Sequence, residues 1–352
     1  MVGLWRRTQR SARPPFIVSE PEEQKNNPDQ VCPIEPDAKS NSCLRICLRV
    51  ISVLKYLVLV FMIPPFLNYA SLQREGVLLQ PQEGELVDIG LGQKLYLNCQ
   101  GKGQPVVIFD APTGMSSDVW LLIQKDVSQL TQACVYDRAG LGFSKKMIRN
   151  KPAGLDNLWR ESTTGREISD LILIDPIPEE VFLEETWLQY WYNELLSYHQ
   201  TLQFFAALGL NRMLLIAGLM EPAEKGENIS EDFMRRQKYL LSNPAHLSAV
   251  VDEHFFINES ISQIRDILKF KPLSNAITIT VITGDYYDEQ LPEHLNKVVT
   301  HFQQQFISQG YPTAKWIKMK GTDRQMIYKN PKAVAKQLKK LINKRKVEQE
   351  SQ

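Results

Sequence analysis

The pattern of apolar and polar positions divides the first part of the chain into two segments. Residues 1–44 contain arginines, prolines and acidic residues but few large apolar side chains. Such a segment cannot bury enough surface to fold alone, so the pattern predicts a disordered tail. A largely apolar run then extends from Val50 to Ala70, and Lys55 is its one charged residue. About 20 apolar residues are needed to cross a bilayer core, and this run is therefore predicted to be a single transmembrane helix.

Charges on the two sides of the apolar run predict its orientation. Arg45, Arg49 and Lys55 flank the near side, whereas the first charge beyond the run is Arg74. Basic residues favour the cytosolic side. The prediction is a single-pass protein with a cytosolic N-terminus, in the endoplasmic reticulum, another secretory-pathway membrane or the plasma membrane. A buried core helix is the alternative, because the uninterrupted run Tyr56–Leu67 is only about 12 residues long.

Beyond Gly84 the pattern predicts strands. Glu85–Ile89 and Lys94–Cys99 alternate between apolar and polar residues, which is typical of a β-hairpin. Val106–Phe109 and Ala133–Tyr136 are continuous apolar runs of the kind found in parallel strands that are buried on both faces. A helical stretch separates these two runs, and strands that alternate with helices predict an α/β fold.

Four ordered segments resemble the α/β-hydrolase fold superfamily. The most specific is the string Tyr-Asp-Arg-Ala-Gly-Leu-Gly-Phe-Ser that ends at Ser144. The other three resemble the strand after the nucleophile helix, the strand before the catalytic acid, and the last strand with its closing helix: Leu171–Pro176, Thr278–Asp285, and Trp316–Gly321 followed by a helix to Leu341. The resemblance implies a mostly parallel sheet over residues 84–341, a helical cap over about 178–275, and a charged C-terminal tail at 342–352.

The resemblance also implies a catalytic serine, an acid and a histidine, in that order along the chain. The segment Lys145–Glu167 contains no Gly-x-Ser-x-Gly turn, and its about 23 residues are too few for a strand, a turn and two helices of ordinary length. Ser162 is the weak candidate there. Counting back from Pro331, the position of the family's histidine is occupied by Arg324. Arginine stays protonated and cannot accept a proton from serine.

The remaining parts of such a site have weaker candidates. Asp285 and Asp288 follow a predicted strand, where the family's acid lies. The resemblance implies that the N–H of Thr113 is an oxyanion donor, although Pro112 stands where the family commonly has glycine. We expect the chain's histidines to be packing or surface residues of the cap or of helices: His199, His246, His254, His294 and His301.

Composition restricts the partners. The chain has 41 Lys and Arg against 40 Asp and Glu, which gives no reason to expect nucleic acid binding. Its cysteines lack the paired spacing of a metal site, and we expect neither a metal nor a cofactor. Cys99 and Cys134 could pair in an oxidising compartment, although their spacing does not decide this. Asn228 and Asn258 are sequons for glycosylation.

The sequence therefore predicts a membrane protein whose hydrolase-like domain is catalytically inactive. Its predicted partner is the lipid bilayer, which it contacts through Val50–Ala70. One alternative is a membrane-anchored serine esterase or lipase that acts on an apolar ester through Ser162. Another is a non-catalytic anchor or scaffold that acts through residues 1–42, and the chain could also be a variant of a longer active hydrolase. The sequence does not identify a small apolar ligand or a protein partner.

Two apolar blocks of the cap, Trp187–Tyr198 and Phe204–Leu219, are predicted to pack inside it, with a lipid-facing surface as the alternative.

Overall fold

The computed structural model describes residues 38–90, 92–145, 168–222 and 230–350. The chain divides into two compact units, residues 1–55 and 56–352. In the first unit, the described residues are helical and form the start of α1, Ala38–Leu78. Everything else described below belongs to the second unit.

Helix α1 is longer than the predicted span. It begins at Ala38, inside the segment 1–44 that was predicted to be disordered, because a helix extends readily once it has nucleated. It continues past Ala70 to Leu78, and its Asn68 donates to the carbonyls of Ala206 and Ser242. In the described part of the chain, one helical stretch, Ile46–Leu78, is long and apolar enough to cross a membrane.

The first sheet has four strands: β1 Glu85–Asp88, β2 Lys94–Gln100, β3 Val107–Phe109 and β4 Ala133–Tyr136. Their order is β1-β2-β4-β3, with β2 antiparallel to β1 and β4, and β3 parallel to β4. The predicted hairpin is confirmed. Cys99 and Cys134 lie opposite each other in the register of β2 and β4 and form a disulfide.

The second sheet has three parallel strands in the order β5-β6-β7. They are β5 Asp170–Ile174, β6 Thr278–Gly284 and β7 Lys315–Met319. Ile172 pairs with Thr280, and Ile282 pairs with Ile317. These three strands are the three predicted after residue 168.

Within the described residues, no strand joins the two sheets. Strand β3 is the edge of the first sheet and β5 is the edge of the second. Ile108 on β3 is 61% exposed, so the prediction that this strand is buried on both faces is wrong at that residue. Among the described strands, β3 has a neighbour on one side only, which leaves this side chain uncovered. The nucleophile turn was sought in Lys145–Glu167. Of this interval, residues 146–167 lie outside the described part of the chain.

Helices surround both sheets. A 3₁₀ turn, Ser117–Trp120, and α2, Leu121–Val127, follow β3. Between β5 and β6 the described chain is almost entirely helical, and we call this part the cap. Its elements are a 3₁₀ turn Glu179–Leu183, α3 Glu185–Gln189, a π-helix Tyr190–Leu196, α4 Ser197–Ala207, α5 Leu210–Ile216, α6 Glu231–Ser242, α7 Pro244–Phe255 and α8 Ile257–Phe270. The last helices are α9 Glu293–Gln305, a π-turn Phe306–Gly310, α10 Met326–Lys329 and α11 Pro331–Glu350.

One hydrophobic core includes residues of both sheets. Phe109 and Val135 of the first sheet belong to the same buried cluster as Ile282 and Met319 of the second, and α11 contributes Leu338. Because the two sheets share this cluster, they form a single folded body despite the gap between β3 and β5.

Helix α11 ends later than predicted. It continues from Leu341 to Glu350, through most of the segment expected to be a charged tail. The reason is that Ile342 is buried in the shared core, and that Arg345 binds the Asp170 carboxylate through Nε at 2.8 Å and the Ser169 carbonyl through Nη2 at 2.9 Å. These bonds attach the helix to β5.

Candidate active site

The loop after β3 is held in place by Arg138, which follows β4. Arg138 Nη1 donates to Asp110 Oδ1 at 2.8 Å and to the Ala111 carbonyl, and Nη2 donates to the Pro112 carbonyl at 2.7 Å. Tyr136 Oη donates to the same oxygen of Asp110 at 2.9 Å. The planar fork of arginine carries five N–H donors and suits such a converging set of acceptors. The arginine of the recognised string therefore shapes the loop that carries the candidate oxyanion donor.

A glutamate of the cap occupies the other side of this loop. Glu253 on α7 accepts from Arg138 Nε at 2.8 Å and from Nη2 at 2.9 Å. Its Oε2 also accepts from the Gly114 backbone N–H at 2.7 Å. The donor bound in this way belongs to Gly114, one residue after the predicted Thr113. The carboxylate of Glu253 is thus bound to an N–H group of the loop. Charge-assisted hydrogen bonds of this kind are about twice as strong as neutral ones.

Histidines of the cap pack beside the same loop. A Cβ on Gly114 would overlap the ring of His254, and the φ of this glycine is +74°. The ring of His254 lies 4.4 Å from that of His199 and 5.3 Å from that of Trp191, centroid to centroid. Burial lowers the pKa of His254, and it lowers the pKa of His199 to about 4. Both rings are therefore neutral near neutral pH and pack as part of the cap.

The rest of the recognised string also serves the structure. Asp137 accepts from the backbone N–H of Ser117 at 2.7 Å and of Phe143 at 2.9 Å, and burial raises its pKa. His246 on α7 accepts from the Gly142 N–H at 3.1 Å through Nδ1. Burial lowers the pKa of His246 to about 4. The string is thus attached both to the 3₁₀ turn after β3 and to the cap.

A further ion pair connects the cap to the 3₁₀ turn that follows β3. Arg236 on α6 donates from Nε to Asp118 Oδ1 at 3.1 Å, and both side chains are largely buried. Burial raises the pKa of Asp118 to about 6, although Arg236 acts in the opposite direction.

The two predicted acids lie beside the loop that follows β7. Asp285 Oδ1 accepts from the Thr322 N–H at 3.1 Å, and Asp288 Oδ1 accepts from Gln325 Nε2 at 3.3 Å. Residues 322–325 contain Arg324, the residue at the position expected for histidine. Asp288 Oδ1 also accepts from the Gln290 N–H at 2.9 Å. The structure therefore brings the predicted acids close to the loop that contains Arg324, but the acids bond to other residues.

Arg324 faces a different carboxylate. Its Nε lies 3.9 Å from Asp175 Oδ2, and both side chains are mostly buried. Asp175 directly follows β5 in a left-handed conformation, with φ at +46°, and its other oxygen accepts from Gln303 Nε2 at 2.9 Å. Burial raises the pKa of Asp175, whereas Arg324 lowers it. The side chain of Arg324, which was predicted to occupy the position of the histidine, therefore lies against a buried carboxylate.

The other predicted residues are only partly described. Ser162 and Asn228 lie outside the described residues. Asn258 is exposed at the start of α8, where its Nδ2 donates to Tyr192 Oη at 3.1 Å. Glycosylation of either asparagine stays a prediction. Sequence reasoning missed Glu253 as a loop partner, and the available signal was the polar run Asp252–His254 within an otherwise apolar helix.

Two open depressions lie elsewhere on the surface. One, of about 310 Å³, is in the cap and is lined by Leu215, Gly218, Met220, Glu221, Pro222, Met234 and Lys238. The other, of about 260 Å³, is beside the acid loop and is lined by Tyr286, Tyr287, Glu289, Gly321, Thr322, Asp323, Lys329 and Asn330. Neither is lined by the loop that contains Gly114.

No protein-family model and no curated protein matches the chain. Solved structures do match. The Cif epoxide hydrolase from Acinetobacter nosocomialis is 13% identical with a TM-score of 0.56, and the match covers 78% of this chain and 96% of that one. Epoxide hydrolase VrEH1 from Vigna radiata is 11% identical with a TM-score of 0.51, over 75% and 99% of the two chains.

These neighbours are α/β-hydrolase-fold proteins, and the chain has the α/β-hydrolase fold, preceded by one long apolar helix. The fold predicted from the four segments is confirmed. At such low identities the likeness establishes the fold and leaves the activity to the residues of the site.

Proposed function

We propose that this chain is a single-pass membrane protein whose α/β-hydrolase-fold domain does not hydrolyse substrates. The observation that carries the proposal is the pairing of Arg324 with buried Asp175 at the position where the fold's histidine is expected. A serine nucleophile needs an adjacent base that accepts its proton. Arginine stays protonated and does not provide one.

The oxyanion side supports the same proposal. Glu253 accepts the Gly114 N–H and is itself held by Arg138. An oxyanion formed in ester hydrolysis is stabilised by N–H donors that are prepared for it. Here a developing anion at Gly114 would have to displace a carboxylate that has two strong partners, which makes hydrolysis less favourable.

The membrane assignment has three supports. The stretch Ile46–Leu78 is long and apolar enough to span a bilayer. The disulfide between Cys99 and Cys134 fits an oxidising compartment such as the secretory-pathway lumen. The exposed side chain of Asn258 is accessible for glycosylation in that compartment. Together they favour a cytosolic N-terminus with the folded domain on the luminal or extracellular side.

The experiment that tests inactivity uses a fluorophosphonate probe, which labels activated serines. The full chain in detergent micelles, its Ser162→Ala variant and heat-denatured full chain are incubated with the probe beside an active serine esterase. We expect the esterase alone to be labelled above the denatured background. Labelling of the native chain that Ser162→Ala abolishes would instead establish the serine esterase or lipase alternative, and labelling that survives this substitution would point to another serine.

Anchoring is tested separately by washing vesicles that contain the full chain with alkaline carbonate. A membrane-spanning protein stays with the vesicles during flotation, because carbonate removes only peripheral proteins. Release into the wash would contradict the transmembrane assignment without affecting the conclusion about catalysis.

A further inference from the structure

The cap is fixed to the C-terminal turns of α1 by a buried polar network. Asn68 is only 3% exposed, and its Nδ2 donates to the carbonyls of Ala206 and Ser242, both at 3.0 Å. Arg212 donates to Asn68 Oδ1 at 2.8 Å and forms two bonds of 2.7 Å with the carboxylate of Glu75. Paired, forked bonds of this kind fix geometry as well as adding energy. The position of α4 and α5 relative to this part of α1 is therefore well defined.

The contact extends into the apolar run of α1. Gly209, between α4 and α5, lies so close to Pro64 that a Cβ would overlap the Pro64 carbonyl. Pro64 belongs to the apolar run Tyr56–Leu67 and is one helical turn from its end, a distance of about 5 Å along the axis. If this run lies in a bilayer, the junction of α4 and α5 lies at the level of the bilayer surface.

The side chains beside this junction are apolar and exposed. Between Phe204 and Met220 the one charged residue is Arg212, whose charge is paired with Glu75. Exposed fractions are 61% for Phe204, 39% for Leu208, 51% for Met213, 80% for Ile216 and 78% for Leu219. We call these five side chains the cap face. The sequence predicted that this block packs inside the cap, and these residues do not, whereas Trp187 and Trp191 of the first block are buried as predicted.

We infer that the cap face lies in the headgroup and upper acyl region of the bilayer that holds α1. The inference rests on the proposed membrane anchoring. Soluble monomers rarely expose large contiguous apolar patches, whereas interfacial helices bury such a face about 5–10 Å deep. Because the cap face carries no unpaired basic residue of its own, the partner is the apolar region of a lipid leaflet, and acidic headgroups are not required.

The cap depression lies next in sequence to the cap face. The cap depression of about 310 Å³ is lined by Leu215, Gly218 and Met220, which alternate in sequence with residues of the cap face. An apolar ligand of this depression would then enter from the lipid leaflet and would not have to cross water.

The test places a fluorescent reporter on the cap face of the full chain. Ile216→Trp is compared with Phe270→Trp, a matched site at the end of α8 that is 91% exposed and outside the cap face. Each variant is reconstituted into phosphatidylcholine vesicles with plain or brominated acyl chains, and the fluorescence of the wild-type tryptophans is subtracted. We expect brominated lipid to remove about half or more of the added emission of Ile216→Trp, and little of that of Phe270→Trp.

The outcomes separate the inference from the proposed anchoring. Added emission at position 216 that resists brominated lipid but is quenched by aqueous acrylamide would overturn the inference, because the face would be in water. Emission shielded from both quenchers would also overturn it, with a second copy or another protein as the cover. Quenching by brominated lipid in a chain that carbonate releases would support the lipid contact while contradicting the transmembrane anchor.

Discussion

The central and edge strands of the two sheets differ in how completely they are covered. In the first sheet, every residue of β4 is buried, and β4 has a neighbour on each side. In the second sheet, every residue of β5 is only half-buried, and its sole strand neighbour within the described residues is β6. Central β6 has fully buried residues, Val281 and Ile282. Strands with two strand neighbours are therefore the most completely buried, although single residues of edge strands, such as Phe109 and Met319, also reach the core.

The polar groups on the two sides of the gap are also satisfied in different ways. On the side of the first sheet, Arg138 and Glu253 connect the candidate oxyanion loop to the cap. On the side of the second sheet, Arg324 faces Asp175 at the end of β5. In both places, charged side chains pair with one another and connect the end of a strand to a neighbouring part of the fold. The partner differs between the two sides of the gap: it is the cap on the side of the first sheet and the loop after β7 on the side of the second, where Arg324 faces Asp175.

The largest effect is expected from the loss of Arg138, which joins the loop after β3 to the cap. Arg138→Ala leaves the carboxylates of Glu253 and Asp110 without their shared partner, and breaking a buried pair costs about 3–5 kcal/mol. Asp110 is partly exposed, so we expect a loss of about 3 kcal/mol in the free energy of unfolding. Arg235→Ala, which removes an exposed pair with Glu231, is the matched control and should cost at most about 1 kcal/mol.

Thermal or denaturant unfolding of the full chain in micelles, followed by near-ultraviolet circular dichroism, measures both variants. Equal losses for Arg138→Ala and Arg235→Ala would mean that the network around the loop contributes little to stability. The first sheet would then have no advantage over the second from its connection to the cap.

The sequence predicted most of the fold because strand signals are local. The apolar runs at 106–109, 133–136 and 278–285 lie within a residue or two of the observed strands. The string ending at Ser144 added the order of the elements through resemblance. Exposure of Ile108 could not be predicted in this way, because an apolar run predicts burial on the assumption that a neighbouring strand is present.

The candidate site was less predictable, because its contacts join distant parts of the chain. Glu253 and Gly114 are 139 residues apart, and Arg324 and Asp175 are 149 residues apart in the numbering. No periodic pattern reports such pairs. The sequence could place Arg324 at the position expected for histidine, but only the structure shows which carboxylate it faces.

A smaller effect is expected from His246, which connects Gly142, in the string that ends at Ser144, to the cap. Its pKa is lowered from 6.5 to about 4 by burial, so the unfolded chain takes up a proton first as the pH falls. Stability from this group is present above about pH 6.5 and is lost as the pH drops towards 4. Between about pH 7 and about pH 5 the expected loss is about 2 kcal/mol.

The variant His246→Gln keeps an acceptor for the Gly142 N–H but does not titrate. We expect it to reduce the difference in unfolding free energy between the two pH values by that amount. His294→Gln, on the exposed side of α9, is the control and should leave the difference unchanged. A wild-type pH difference that persists in His246→Gln would assign the acid sensitivity to other buried groups.

The smallest expected effect is at Ile108, on the strand that borders the gap. Ile108→Thr keeps a β-branched side chain, which suits a strand, and an exposed substitution of this kind usually changes stability by no more than about 0.5 kcal/mol. Ile282→Ala, in the fully buried part of β6, is the contrasting control and should cost about 2–5 kcal/mol. Both are measured by the same unfolding experiment. A cost for Ile108→Thr that approaches that of Ile282→Ala would mean that another part of the chain covers the open side of β3. The contrast between edge and central strands would then be wrong for β3.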